Sequence, residues 1–182
     1  MENFPHENSF EERKEELRHL IADKKEHAIY DDQYDDLFQC IEGYEDIIRE
    51  EGIDSLSDRE KEIYLKKKSQ LDSFSLKVKT LPELRFILEE LGKDEEEVRV
   101  NLAHENAHAN VASSLGANHE TYIVYFLRNG NIYQTRVTFP DNLSQEEVNY
   151  ISKKAINAPE DYEVKGGLSE DDEKQAKYFN RE

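Results

Sequence analysis

Apolar side chains recur every three or four residues through the first ninety positions, and this spacing limits the possible folds more than any other feature of the chain. The clearest run consists of Tyr34, Leu37, Phe38, Ile41, Tyr44 and Ile48. Because an α-helix has about 3.6 residues per turn, these side chains lie on one helical face. The same pattern begins near Phe10 and returns after Ser57 and Thr80. It predicts four amphipathic helices in residues 1–92.

Helix starts are marked by a small polar residue followed three positions later by Glu. The pairs are Ser57 with Glu60, Thr80 with Glu83, Asp94 with Glu97, and Ser144 with Glu147. In such a capping box each side chain hydrogen-bonds the backbone N–H of the other residue, which satisfies amide groups that have no partner within the helix. We therefore expect further helices from Asp94 to about Gly116, from Ser144 to Ile156, and after Ser169.

Between the last helices lie two stretches rich in β-branched and aromatic residues, 121–127 and 132–139. They are joined by a short segment that contains Asn129-Gly130, a pair typical of tight hairpin turns. The predicted fold class is α+β and mostly helical. We expect a helical region at 1–92, acting in docking or gating, and a mixed unit at 93–182.

Composition excludes several classes of function. The chain carries 42 Asp and Glu against 24 Lys and Arg, a net charge of −18, which repels nucleic acid and anionic membranes. No apolar run reaches the roughly 18 to 20 residues that cross a bilayer, and no signal-peptide pattern is visible. The single cysteine, Cys40, cannot form an internal disulfide, which favours a cytoplasmic location.

Residues 104–108 read His-Glu-Asn-Ala-His, an intact H-E-x-x-H motif within the helix predicted after Asp94. Imidazoles four positions apart project from the same helical face and can share a metal ion. Glu105 lies about 100° round the helix from His104, within reach of a water at that ion. The pattern predicts a Zn²⁺ site with His104 and His108 as ligands and Glu105 as the general base.

The surroundings of the motif favour a built site over a chance match. Val100, His104, Ala107, His108, Val111 and Leu115 form one stripe, which predicts that the histidines face the interior. Burying two imidazoles without a partner is costly. Alanines at 103, 107, 109 and 112 leave room for another element to approach the helix closely.

The segment from His104 to Gly116 resembles the zinc motif of the FtsH-type ATP-dependent zinc proteases. Residues 167–174, Gly-Leu-Ser-Glu-Asp-Asp-Glu-Lys, resemble that family's Gly-x-x-Asn-Asp stretch, in which the second acidic position supplies the third zinc ligand. The resemblance implies a minimal zincin-like peptidase unit without the ATPase module. It also implies Asp171 as the third ligand. Ala107 departs from the glycine usual in the family.

Other residues compete for the third ligand position. His119 follows the second histidine of the motif by eleven positions, and Glu147 and Glu170 are carboxylates from later elements. As structural residues, His119 would lie in a turn, and the two glutamates would cap helices or face solvent. Asp171, at a helix start, is favoured by the helix dipole.

Two classes of function follow from these patterns. The first is a zinc metallopeptidase that hydrolyses peptide or unfolded-protein substrates, and a variant of it is a regulatory protease that cuts one transcription factor. The second is a non-catalytic regulatory or adaptor protein with a structural or vestigial zinc site. In either class the N-terminal helices can bind a protein partner. A general peptidase would hydrolyse generic peptides, whereas the regulatory protease and the non-catalytic protein would not.

Overall fold

The computed structural model describes residues 10–179. The sequence showed no signal-peptide pattern at the N-terminus, and residues 1–9 lie outside the described range. Within it the helices are α1 (Phe10–Glu26), α2 (Asp31–Glu51), α3 (Asp58–Ser73), α4 (Leu81–Glu90), α5 (Glu95–Ser114), α6 (Gln145–Ile156), α7 (Ala158–Asp161) and α8 (Glu170–Phe179). The strands are β1 (Ser75–Val78), β2 (Asn118–Leu127) and β3 (Gly130–Thr138). The mostly helical α+β class is confirmed.

The four capping boxes predicted from the sequence are all formed. Ser57, Thr80, Asp94 and Ser144 each accept a hydrogen bond from the backbone N–H three residues later, and each partner glutamate returns one to the cap backbone. Such a cap stabilises a helix by about 1 kcal/mol. Because the interaction spans three residues, the sequence alone was sufficient to place these helix starts.

The strands form one antiparallel sheet in the order β1-β2-β3. The predicted hairpin between β2 and β3 is present, and its turn consists of Arg128 and Asn129, so the Asn-Gly pair lies at the end of the turn. Residues 122–126 of the central strand are all buried, whereas β3 is an edge strand of intermediate burial. Neither β1 nor the one-turn helix α7 was predicted from the sequence, because four residues are too few for a periodic pattern.

Compact packing divides the described chain into two interleaved units. The first comprises residues 10–17, 77–123 and 133–179, and the second comprises 18–76 and 124–132. These limits do not coincide with a boundary at residue 92, since α4 belongs to the same unit as α5. The division into domains at 1–92 and 93–182 stays a prediction, because compact packing and independent folding are different properties.

In the first unit, helix α5 packs against α6 through small side chains. Ala112 and Ala155 are buried in one cluster with Ile151, and Val137 and Phe139 cover it. The short alanine side chains allow the two helices to approach closely, as the sequence pattern predicted. This packing brings the C-terminal part of α6 next to the histidines of α5.

In the second unit, α2 packs against α3. Tyr34, Leu37 and Ile41 of α2 are buried, as are Tyr64 and Leu71 of α3. The predicted apolar stripe of α2 is therefore confirmed.

Among residues 10–179, no helix has both the length and the apolar composition that crossing a membrane requires.

Candidate metal centre

The two histidines of the motif meet on one face of α5, as their spacing predicted. Their Nε2 atoms are 3.0 Å apart, and the ring centroids are 4.7 Å apart with planes at 80°. Both side chains are largely covered, with exposed fractions of 14% for His104 and 12% for His108. Two nitrogen donors therefore converge in a region from which most solvent is excluded.

Asp172 adds a carboxylate to this pair from the first turn of α8. Its Oδ2 lies 2.9 Å from His104 Nε2, and its Oδ1 lies 3.4 Å from His108 Nε2. Within residues 10–179, His104, His108 and Asp172 form a group that can hold a metal ion. Each carboxylate oxygen faces a different imidazole, so the three side chains surround one point.

A local capping interaction holds Asp172 in this position. The backbone N–H and the hydroxyl of Ser169 donate to Asp172 Oδ2 at 2.9 and 2.6 Å, and the Asp172 N–H donates to Ser169 Oγ at 3.1 Å. Asp172 thus occupies the third helical position of a capping box. A helix start at Ser169 was predicted from the sequence, but the role of Asp172 as the fixed partner carboxylate of this cap was not.

The sequence prediction of Asp171 as third ligand falls on a side chain outside what the structure describes, although its backbone lies in α8. The side chain of Glu170 is likewise outside the description. Glu147 caps α6 by accepting from the Ser144 N–H at 2.8 Å and from its hydroxyl at 2.7 Å. Neither Glu147 nor His119 belongs to the described His–Asp group.

The tautomer of His108 is suited to binding a metal through Nε2. Its Nδ1 lies 2.8 Å from the backbone oxygen of Ala155 in α6, which can only accept a hydrogen bond. Nδ1 therefore carries the proton, and in the neutral ring Nε2 presents its lone pair. A backbone carbonyl that fixes the outer nitrogen is the usual support for a metal-binding histidine.

The charges of the cluster are coupled. Burial alone would raise the pKa of Asp172, but hydrogen bonds from His104 and His108 outweigh it, so the pKa of this carboxyl lies far below its ordinary value. Burial would lower the pKa of His108, but the neighbouring Asp172 and Glu105 charges raise it above normal. Both shifts favour a negative Asp172 beside a protonated His108, and a cation that binds His108 Nε2 has to displace that proton.

Glu105 lies on a different face of α5 from the one the sequence indicated for burial. The most buried stripe of the helix consists of Val98, Glu105, Ala109 and Ala112, whereas His104 and His108 are only partly buried. The histidine stripe therefore lies on a largely covered face of α5, but the face with the most buried residues is the one that carries Glu105. The histidines are covered by α6 and α8, and Glu105, 3% exposed, occupies the core-facing side.

A hydroxyl from β3 meets the Glu105 carboxylate. Thr135 Oγ1 lies 2.7 Å from Glu105 Oε2 and 3.0 Å from the Glu105 backbone oxygen, and its single proton can be donated to either. Burial raises the pKa of Glu105, although the nearby imidazoles and the Thr135 hydrogen bond act in the opposite direction. A buried carboxylate of raised pKa beside a metal-binding group is typical of a general base.

Tyr122 of β2 belongs to the same environment. It is 4% exposed, and burial together with the Glu105 charge raises the pKa of its phenol. The two-residue turn pairs Leu127 with Gly130, and a regular ladder from there places Tyr122 opposite Thr135. Tyr122 could not be singled out from the sequence, because the strand register that places it opposite Thr135 depends on the exact turn residues.

The donor atoms of the group lie close enough together for one metal ion to contact all three side chains. Ligand atoms about 2.0 to 2.1 Å from a tetrahedral Zn²⁺ are separated from one another by about 3.3 Å. Here the two imidazole Nε2 atoms are 3.0 Å apart, and those of His104 and His108 lie 2.9 Å from Asp172 Oδ2 and 3.4 Å from Asp172 Oδ1, respectively. Imidazole and carboxylate suit several first-row metals, so the geometry indicates a metal-binding group rather than one particular metal.

No protein-family model, curated protein or solved structure matches this chain.

Proposed function

We propose that the protein is a zinc-dependent peptidase, with His104, His108 and Asp172 as ligands and Glu105 as general base. The observation that carries this proposal is the convergence of both Nε2 atoms of the motif on a carboxylate 64 to 68 positions later. Catalytic zinc sites commonly have three protein ligands and one open position. Two imidazoles and one carboxylate match that number and those ligand types.

Zinc, when bound, supplies a Lewis acid that lowers the pKa of water to about 7. Glu105 takes the proton of the attacking water and later delivers it to the leaving amine. Its burial favours this role, since a carboxyl with a raised pKa accepts a proton more readily at neutral pH. Thr135 keeps the carboxylate in one orientation by hydrogen-bonding Oε2.

The substrate is a peptide or an unfolded protein segment. Residues 133–138 of β3 pass next to the site, because Thr135 contacts Glu105, and β3 is an edge strand of the sheet. An extended peptide can add to such an edge through main-chain hydrogen bonds. These main-chain contacts are independent of side-chain identity.

One observation favours a second candidate function, a regulatory or adaptor protein with a structural metal site. Glu105 is 3% exposed and already hydrogen-bonded, and the three ligand side chains are 12–15% exposed. A closed site of this kind also fits a metal that only stabilises the fold. In this function the acidic N-terminal helices would bind the protein partner.

Zinc content and hydrolysis of a fluorogenic unfolded protein, measured on the same samples, test the proposal. We expect about one zinc per chain in the wild type, and loss of the metal in His108→Ala. Glu105→Gln should retain zinc while hydrolysis falls by about a hundredfold or more, because the amide cannot accept a proton. Zinc binding without turnover by the wild type would refute the peptidase and favour the structural site.

A further inference from the structure

An open groove of about 300 Å³ runs along the outer seam between α5 and α6. Its walls include Val111 and Leu115 from α5, Tyr150 and Lys154 from α6, and Asp161 and Tyr162 at the end of α7. All of these residues belong to the first compact unit. The groove is thus formed by the same helices that position His108.

Along α5, the groove begins within about one helical turn of His108. Val111 and Leu115 follow His108 by three and seven positions, which places them on the same face of α5 at about 4.5 and 10.5 Å along its axis. On the opposite wall, Lys154 directly precedes Ala155, whose carbonyl oxygen contacts His108 Nδ1. The groove and the metal-binding group therefore share the same pair of helices.

The groove collects apolar side chains that face solvent. Leu115 is 36% exposed, Tyr150 56% and Tyr162 70%. In the described part of the first unit only one other large hydrophobic residue is comparably exposed, Phe10. Isolated exposed apolar residues are common on protein surfaces, whereas these three lie together in one concavity that also contains polar groups.

Charge and size restrict what the groove can bind. Lys154 and Asp161 contribute one positive and one negative charge, so the groove is balanced although the chain carries a net charge of −18. Its volume lies at the lower limit of about 300 to 1,000 Å³ that small-molecule sites occupy. An uncharged group of the size of one large side chain fits both conditions.

We propose that this groove is a specificity pocket that accepts a large uncharged side chain, aromatic or leucine-like, next to the scissile bond of the peptide substrate. The inference rests on the proposed peptidase function and adds the class of substrate to it. Lys154 and Asp161 flank the pocket with a donor and an acceptor for the carbonyl and amide groups of the peptide.

Binding is measured first, because it does not require turnover. The zinc-loaded protein is titrated with N-acetylphenylalaninamide and, separately, with N-acetylglycinamide. Changes in the NMR chemical shifts of the protein report binding of each amide. Burial of the phenyl ring should give about tenfold or stronger binding of the phenylalanine derivative. Leu115→Ser and Tyr162→Ser should each remove this preference, and the strongly exposed Tyr162 provides a variant that does not disturb the core. Tyr30→Ser, 52% exposed in the second unit, is the matched control and should retain it.

Cleavage-site sequencing on a library of proteome-derived peptides follows. We expect Phe, Tyr and Leu to be enriched at one position beside the scissile bond, and Tyr162→Ser to reduce the enrichment at least threefold while Tyr30→Ser does not. Cleavage without such a preference, together with equal binding of the two amides, overturns the pocket and leaves the peptidase intact. Selective binding at the groove without any cleavage overturns the peptidase and leaves the groove as a site for apolar side chains.

Discussion

Removing the carboxylate of Asp172 is the most direct test of the metal centre, and the neighbouring Asp171 provides its control. Asp172→Ala removes a ligand atom that lies 2.9 Å from His104 Nε2. Asp171→Ala removes the same charge from the same helical turn, so both variants change the net charge of −18 to −17. Any difference between them therefore reflects position and not overall electrostatics.

The expected magnitude follows from the role of each residue. Loss of a residue that only supports a metal ligand reduces metal affinity by about 10- to 100-fold. Loss of one of three protein ligands should exceed this range, so we expect at least about 100-fold weaker zinc binding in Asp172→Ala, or about 2.7 kcal/mol. In Asp171→Ala all three proposed ligands remain, so the affinity should change by less than about threefold.

Zinc affinity is measured by competition with a chromogenic chelator at constant pH and salt, with total zinc confirmed by mass spectrometry. Thermal unfolding of the metal-free proteins checks that both variants fold. If Asp171→Ala loses zinc and Asp172→Ala keeps it, the ligand implied by the sequence resemblance is correct and the arrangement described here is wrong. Equal, small losses in both variants would show that neither carboxylate binds the metal.

Three further predictions concern the base, the metal and the pH response. Thr135→Val should lower turnover of the unfolded-protein substrate about tenfold or more with zinc content unchanged, because the hydroxyl that orients Glu105 is lost. Thr135→Ser keeps the hydroxyl and should restore turnover. Equal activity of the Val and Ser variants would contradict this role. Chelation should lower the thermal midpoint of the wild type but not of His104→Ala, since zinc at a hundredfold excess over its Kd stabilises the folded state by about 2.7 kcal/mol; an identical shift in both proteins would place the metal elsewhere. Burial raises the pKa of Glu83, but hydrogen bonds from Arg13 and Thr80 outweigh it, so the pKa lies below the ordinary 4.5. The ionised Glu83 therefore contributes to the stability of the fold above pH 4.5, and this contribution is lost as the pH falls through the lower folded-state pKa. The free energy of unfolding, measured in urea between pH 7 and pH 3, should therefore depend less on pH in Glu83→Gln than in the wild type. An unchanged pH dependence would show that Glu83 does not contribute to stability in this way.

The helices and half of the metal centre could be predicted from the sequence because the interactions that form them are local. A capping box joins residues three apart, as in Ser57 and Glu60, and the spacing of His104 and His108 places both imidazoles on one helical face. The hairpin was predicted for the same reason, since the turn and the alternating strands are adjacent in the chain. The helix geometry also put Glu105 close to the histidines.

The remainder of the site depends on contacts between residues far apart in the chain. Asp172 meets His104 across 68 positions, the Ala155 carbonyl meets His108 across 47, and Thr135 meets Glu105 across 30. Periodicity indicated that the histidines face the core, but the approach of α6, α8 and β3 determined that Glu105 is the residue buried there. Local sequence determines which way a side chain projects from its own helix, whereas the packing of other elements determines what that side chain meets, and only the tertiary structure contains that information.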